Sequence, residues 1–529
     1  MIAVQDLTYI HPNKDLLFDN INLTINLQDK AALIGNNGSG KSTLLKVIAG
    51  ELSPFKGQVS CTSSPYYIPQ IFGQFNHFNI AQALRIDGKL KALKEILEGN
   101  MTEENMNLLN DDWTLEERCN EALQYWGLEG LDLTQKMKSL SGGQKTKVFL
   151  AGIFIHQPEL ILMDEPSNHL DVAGREMLYN YIQSTQNTLL VVSHDRKLLN
   201  LLDVVMELSK RGITIYGGNY DFYAEQKRIE TNALNDDIKS KEKALRKAKE
   251  IKRETIERQQ KRDARGKKKL QKEGIPRIAM NTLKNNAEKS TSRIKEVHSE
   301  KVEAVLRELS DLRKEAPEVD QMKFDFDNSH LHQGKILFSA RSINYAYRDQ
   351  FLWEENLDID IVSGERIHLK GVNGSGKSTL IKIILAELNP TVGTVQRADF
   401  KSVYIDQDYS LINDELSVYE QAQHYNVSAL QEHEVKIRLN RFLFTKDSWD
   451  KPCKALSGGE KMRLMLCCLT LYHQAPDIIV LDEPTNNLDI QNIEILTSAI
   501  NDFKGTLIVV SHDDYFINQI QVRKVISLQ

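Results

Sequence analysis

Four sequence motifs occur twice in this chain, in the same order, and that repetition limits the possible architectures more than any other feature. GNNGSGKST (Gly35–Thr43) returns as GVNGSGKST (Gly371–Thr379), and LSGGQ (Leu140–Gln144) as LSGGE (Leu456–Glu460). LILMDEPSNHLD (Leu160–Asp171) returns as IIVLDEPTNNLD (Ile478–Asp489), and VVSHD (Val191–Asp195) reappears unchanged at Val509–Asp513. A period this long is not a solenoid repeat but the duplication of a whole domain. From Lys41 to Ser141 is 100 residues, whereas from Lys377 to Ser457 is 80. The first copy therefore carries an insertion of about 20 residues, expected within 73–120.

A length of 529 residues suits two or three domains rather than one core. The longest strictly apolar run is LMLCCL (Leu464–Leu469), far short of the ~20 residues that span a bilayer. The start, MIAVQDLTYIHPNKD, has neither the basic n-region nor the apolar h-region of a signal peptide. The five cysteines are odd in number and form no CxxC, so reduced core thiols are expected rather than a disulfide framework or a zinc site. The expected compartment is the cytoplasm.

Each copy opens with alternating strand-like sequence, such as Asn20–Leu27, and an apolar strand leading into the glycine loop. A helical pattern follows (Ser42–Ala49 and Ser378–Ala386), and later the short apolar runs LILMD and IIVLD each stand next to another helix. This alternation predicts an α/β fold with a mainly parallel sheet in each copy.

The segment between the copies is of another kind. Lys239–Lys295 holds 21 Lys and Arg against 7 Asp and Glu, a net +14 in a chain whose total is −6. From Tyr223 to Ala264, and again from Ala279 to Ala316, there is no Gly or Pro, and good helix formers abound. Val302, Val305, Leu306, Leu309 and Leu312 recur at helical spacing, and Gly266, Gly274 and Pro276 lie between the two arms as expected breakers. Two arms of similar length predict an antiparallel helical hairpin with a basic tip, in which Lys267, Lys268, Lys269, Lys272 and Arg277 are the expected contacts to a polyanion. A merely solvated helix face mixes both signs, so the threefold excess favours a nucleic-acid partner over a spacer. The expected domains are 1–222, 223–320 and 321–529.

The glycine loops have the GxxxxGK[ST] form of a phosphate cradle, in which backbone N–H groups and a lysine hold the phosphates and a hydroxyl holds Mg²⁺. These roles fall to Gly35, Asn36, Asn37, Gly38, Ser39, Gly40, Lys41, Ser42 and Thr43, and to Gly371, Val372, Asn373, Gly374, Ser375, Gly376, Lys377, Ser378 and Thr379. Asp164 and Asp482 end apolar strands, where a carboxylate can order the metal, and the adjacent Glu165 and Glu483 are placed to polarise a water. His194 and His512 follow further strands in an identical Ser-His-Asp context, which favours γ-phosphate sensing over a structural histidine. Ser141, Gly142 and Gly143, like Ser457, Gly458 and Gly459, precede helical patterns and offer a second anion-binding helix start in each copy.

These motifs resemble those of ATP-binding cassette domains over nearly the whole chain outside the linker. The resemblance implies two composite ATP sites within a monomer. One would join Lys41, Ser42, Asp164, Glu165 and His194 to Ser457–Gly459; the other would join Lys377, Ser378, Asp482, Glu483 and His512 to Ser141–Gly143. It also assigns Gln70 and Gln407 to the Q-loop and Asp171 and Asp489 to the D-loop, and makes Tyr9, and Tyr345 or Tyr347, candidates for the aromatic that stacks on adenine. Both sites look intact, so an ATPase using Mg²⁺ at two sites is expected.

Two cassettes in one chain, separated by a charged helical linker, resemble the ABC-F class. EPSNHLD fits that class, whereas EPTNNLD departs from it at Asn487. The resemblance implies a linker that reaches the peptidyl-transferase region of the ribosome, with rRNA and P-site tRNA as partners. The small insertion and the end of the chain soon after the second His motif resemble antibiotic-resistance ribosome-protection members, and housekeeping translation factors share these features. A fused pair of transporter ATPases would have no use for the basic hairpin. An ATPase of the SMC type would split one cassette, and the recycling-factor class would add a cysteine-rich iron–sulfur region.

Overall fold

The apolar runs that carry the motifs are buried parallel strands. In the computed structural model all five residues of Leu160–Asp164 and of Thr188–Val192 are buried, and the two strands pair in parallel with Asp164 level with Val192. The second copy repeats the pairing with Ile478–Asp482 and Thr506–Val510, Asp482 level with Val510 and only partly buried. Continuous Val, Ile and Leu suit strands covered on both faces. The model describes residues 1–528 except 71–72, 210–211, 273–276, 316–333, 349, 373, 408, 473 and 487, and no side chains at 263, 266–291 and 294–295.

The first cassette has a six-stranded sheet in the order Tyr66–Ile68, Leu160–Asp164, Thr188–Val192, Lys30–Ile34, Val204–Ser209 and Gly212–Tyr216, parallel except for the last pair. The second has five parallel strands: Ser402–Ile405, Ile478–Asp482, Thr506–Val510, Arg366–Gly371 and Lys524–Leu528. The strand feeding the glycine loop lies interior to each sheet, beside the strand that ends at the His motif. A three-stranded antiparallel sheet accompanies each: Leu16–Ile25, Ile2–Ile10 and Lys56–Cys61, and later Leu357–Val362, Ile336–Asn344 and Val392–Arg397. The helices after the glycine loops, Lys41–Ile48 and Lys377–Ile384, contribute Leu44, Leu45, Val47 and Ile48, and Leu380, Ile381, Ile383 and Ile384, to cores shared by both kinds of sheet. Truncating one of these to alanine should cost about 2–5 kcal/mol, which makes the cradle's backbone a rigid part of the fold.

The insertion is local. Asn79 bridges to Lys136, 57 residues on, whereas the matching bridge of the second copy joins Ser417 to Pro452, 35 residues on. The surplus forms helices Asp87–Leu97 and Glu103–Leu109, which share a small core of Leu93, Ile96 and Leu109 and an Asn105-to-Glu95 hydrogen bond of 2.9 Å.

The chain forms two compact units, Met1–Tyr223 together with Gln321–Gln529, and Ala224–Asp320. Within the second unit, helix Tyr220–Lys272 from Ala224 onward and helix Arg277–Glu315 run antiparallel, held by Lys252 Nζ donating to Ser299 Oγ at 2.7 Å and by the pairs Lys241–Glu308 and Arg313–Glu242. Val302 and Leu309 are buried on the expected stripe, but Leu306 lies off it and is 41% exposed. Two expectations are corrected. The first helix continues through Gly266 to Lys272, because one glycine costs only ~1 kcal/mol amid strong helix formers. The arms are also unequal, 53 against 39 residues. Gly274 and Pro276, together with Asn373 and the side chains of Lys267, Lys268, Lys269, Lys272 and Arg277, lie outside the described residues. No described helix is long and apolar enough to cross a membrane.

Candidate functional site

Each glycine loop turns from a buried strand into a helix that begins at its lysine. Gly40 and Gly376 are the caps of these helices at φ 98° and 88°, a left-handed conformation that a side chain would resist. Gly35 is required by close approach: a Cβ there would stand 2.4 Å from the Leu208 carbonyl oxygen. Lys41 Nζ donates to the carbonyls of Gly35 at 2.7 Å and Asn36 at 3.2 Å, and Lys377 Nζ to those of Gly371 at 2.8 Å and Val372 at 3.0 Å. The ammonium thus lies folded over its own loop, and burial lowers the pKa of both lysines.

Beside the loop, Asp164 accepts from Tyr67 Oη at 3.2 Å and from the Ser42 side chain, and Asp482 accepts from Tyr404 Oη at 2.8 Å. Glu165 and Glu483, next in sequence, both adopt positive φ, 52° and 49°. Such a conformation costs a residue with a side chain of order 1 kcal/mol or more and survives only where the surroundings enforce it. Here the enforcing bonds are the Glu165 N–H to the Val192 carbonyl and the Glu483 N–H to the Val510 carbonyl, each 2.8 Å. The bend brings Glu165 Oε1 to 3.4 Å from His194 Nε2, and Glu483 Oε1 to 3.4 Å from His512 Nε2. Burial pushes Glu165 up to about 8, opposed by Lys41, and Glu483 up to about 7, opposed by Arg175. It drives His194 well below the usual histidine range and His512 down to about 4. Both imidazoles are therefore neutral at physiological pH, each with one nitrogen able to accept and one able to donate.

Among the described residues, six buried polar atoms without a hydrogen-bond partner cluster in these motifs: Ser39 Oγ, Ser375 Oγ, Asp164 Oδ1, Glu165 Oε1, His194 Nδ1 and His512 Nε2. Buried polar atoms elsewhere in a protein are almost always paired. A hydroxyl, a free carboxylate oxygen and a cradle of N–H groups form the donor set that a magnesium-bound polyphosphate needs, so the residues fit that ligand.

The signature triplets cap helices. Ser141 starts Gly142–His156 and Ser457 starts Gly458–Leu471, each serine accepting from the backbone N–H three residues on. A cavity of about 930 Å³ brings Lys41 and Ser42 together with Ser457 and Gly458 of the other cassette, and reaches Lys377 and His512. Gln70 and Gln407 also line it. Ser141, Gly142 and Gly143 do not; Gly142 and Gly143 pack against His169 instead. Across the cassettes, the Asn37 N–H donates to Asp489 Oδ2 at 2.8 Å. Asp171 and Asp489 each cap a helix, Val172–Ser184 and Ile490–Asp502.

The three aromatic candidates have distinct surroundings. Tyr9 packs on the core beside Phe18, and His11 and Leu17 line the cavity in its stead. Tyr345 packs on the second core, and Tyr347 places its Oη 3.2 Å from Thr379 Oγ1. Three features were not anticipated from sequence. Tyr67 and Tyr404 had a readable signal, since each stands three residues before its Q-loop glutamine. Arg175 and the positive φ of the two glutamates had none.

The family model described as "ABC transporter" matches residues 18–168 and 355–486. The putative ATP-binding protein YdiF of Bacillus subtilis is 30% identical, over 96% of this chain and 77% of its own length. The ABC transporter F family member 5 of Arabidopsis thaliana is 28% identical, over 95% of this chain and 71% of its own. In fold, the chain is similar to the archaeal ribosome recycling factor aABCE1, solved in complex with ribosomal stalk protein aP1. The TM-score is 0.59 at 19% identity, over 98% of this chain and 87% of that one.

Proposed function

We propose a function that proceeds from one premise: this chain belongs to the ATP-binding cassette family, as an ATPase of its ABC-F branch. ATP held by the loop of one cassette is capped by the signature helix of the other, so that nucleotide acts as adhesive between the two. Ser42 with Asp164, and Ser378 with Asp482, would hold Mg²⁺, which would offset the negative charge of the phosphates. Lys41 and Lys377 exchange their loop carbonyls for phosphate. Glu165 and Glu483 orient the attacking water, and His194 and His512 present a neutral N–H to the γ-phosphate.

The partner we propose is the ribosome, with rRNA and P-site tRNA as the surfaces met by the linker. One observation carries this reading: a +14 segment built as a long antiparallel helix pair between two ATPases. Lysine and arginine neutralise phosphates whatever the base sequence, and structured RNA is recognised largely through shape and backbone. ATP then governs when the linker is presented near the peptidyl-transferase region, and hydrolysis releases it. Protection from ribosome-directed antibiotics is the finer role, favoured by the small size of the insertion. Relief of stalled ribosomes is the second reading, favoured by that insertion having a core of its own.

Sedimentation tests the partner. The Glu165→Gln, Glu483→Gln protein should pellet with ribosomes in ATP, and recovery of that protein free of ribosomes would end the proposal. Replacing Lys267, Lys268 and Lys269 with Glu should weaken ribosome binding more than ATPase activity. Drug susceptibility of cells expressing the wild type separates protection from general translation.

A further inference from the structure

Arg196 follows the first Ser-His-Asp motif, and no step of hydrolysis uses it. It is nonetheless buried, 8% exposed, and its Nε lacks any hydrogen-bond partner. Its guanidinium lies over two aromatic rings, 5.8 Å from the centroid of Tyr220 and 5.3 Å from that of Tyr515. Its Nη2 stands 3.5 Å from Glu494 Oε1. A charge so placed, with few of its five donors engaged, is tolerable only while its neighbours stay assembled.

Arg196 and these neighbours lie on four elements. Arg196 begins the helix Arg196–Leu199 just after the γ-phosphate histidine of the first cassette. Tyr515 lies on Asp514–Gln519, just after the corresponding histidine of the second. Glu494 lies on Ile490–Asp502, the helix capped by the D-loop residue Asp489 that accepts from the first glycine loop. Tyr220 is the first residue of the long helix Tyr220–Lys272, within the cassette unit. That first turn is tied to the first cassette by a reciprocal pair: Asn200 Nδ2 donates to Asp221 Oδ1 at 3.0 Å, and the Asp221 N–H donates to Asn200 Oδ1 at 2.9 Å. It is tied to the second by Tyr515 Oη donating to Asp221 Oδ1 at 3.4 Å. In the second copy the residue after the motif is Asp514, so this arrangement exists once, where the linker begins.

We infer that Arg196 is a positioning residue that transmits cassette closure to the base of the linker helix. Separating the cassettes removes Glu494 and Tyr515 from Arg196 but leaves Tyr220 and Asp221 with the first cassette. The guanidinium then loses one ring and its carboxylate partner, and the linker's first turn loses its tie to the second cassette. Closure reverses both. The linker is thereby held in one orientation only when the two cassettes are together.

The test uses the full chain with Glu165→Gln, Glu483→Gln and Cys61→Ser, and fluorophores at exposed positions introduced as cysteines. One pair, Leu97 and Val427, reads cassette closure; the other, Asp236 and Val427, reads the linker. Leu97 and Val427 are 71% and 68% exposed, and the Asp236 side chain is 80% exposed. ATP should change the energy transfer of both pairs in the parent. With Arg196→Gln or Tyr515→Leu the closure pair should respond as before, while the linker pair loses at least half of its response and its distribution broadens. Arg196→Lys, which keeps the charge, should recover part of it. An unaltered linker response in Arg196→Gln and Tyr515→Leu would overturn the inference, as would loss of the closure response, which would make Arg196 interface packing. The inference rests on ATP-driven closure; a parent in which neither pair responds would refute that reading and this one together. None of these measurements involves ribosomes, so failure here leaves the partner proposal standing.

Discussion

The two ATP sites carry the same motifs, yet their surroundings differ. Around Glu165 the protein is closed: Lys41 is 7% exposed, the glutamate is pushed up to about 8, and Asp489 of the other cassette reaches the loop. Around Glu483 it is more open. Burial raises that glutamate only to about 7, and Arg175, from the helix after the first D-loop, is the leading charge acting against the rise. The residue matching Arg175 in the second cassette is Ile493, so the first site receives an apolar side chain there. Duplication thus preserved the motif residues and let the supporting shell diverge. The shell, not the motif, sets how costly each carboxylate is to ionise.

The largest expected effect compares the two glutamates proposed to orient the attacking water. Glu165→Gln and Glu483→Gln should each lower ATP turnover, and the double variant should fall by about 100-fold or more, as expected when the water-orienting group is lost from positional catalysis. Single-turnover phosphate release measures this, and equal residual rates in the two single variants would erase the functional asymmetry. Next come the lysines. Lys41→Ala and Lys377→Ala should each abolish binding at one site, leaving one equivalent of nucleotide by calorimetry.

A third prediction uses pH. A glutamate near 4.5 in the unfolded chain and near 8 in the fold, like Glu165, favours folding most at low pH, where it is protonated in both states. That contribution is lost as pH rises from 4.5 toward 8, because the unfolded carboxyl ionises first. Glu165→Gln should therefore raise the nucleotide-free melting temperature more at pH 8 than at pH 5, with a gain of about 1–3 kcal/mol. Glu483→Gln should show a smaller gain. Equal gains would show that the two shells ionise their glutamates alike. The smallest effect concerns Asp489→Ala, which removes the bond from Asn37 and a helix cap. A loss of about 1–2 kcal/mol is expected, read as weaker nucleotide affinity at the first site and a lower melting temperature.

Much of this molecule is legible in its sequence. The repeat implied two α/β domains, and the motif residues named from sequence lie at the strand ends and helix starts where such chemistry sits. The charge and the two Gly- and Pro-free runs implied an antiparallel helix pair. The rest depended on context. Gly266 read as a breaker because glycine often is one, but its strong helix-forming neighbours carry the helix through it. Tyr9 is a candidate adenine platform because its ring is of the right kind, and in the fold it packs, partly buried, beside Phe18 against the core.

Sequence by itself determined which side chains are the candidate reacting groups, since phosphate, metal and water each demand particular side chains at particular spacings along one strand–loop–helix unit. Only the tertiary structure decided which groups meet across the cassettes and what their neighbours do to them. Ser457 reaches the cavity with Lys41 although 416 residues separate them. Arg196 finds Tyr220, Glu494 and Tyr515 on three separate elements. The pKa of Glu165 is set by burial and by Lys41. Contacts and dielectric are properties of packing between distant segments, and no local pattern encodes them.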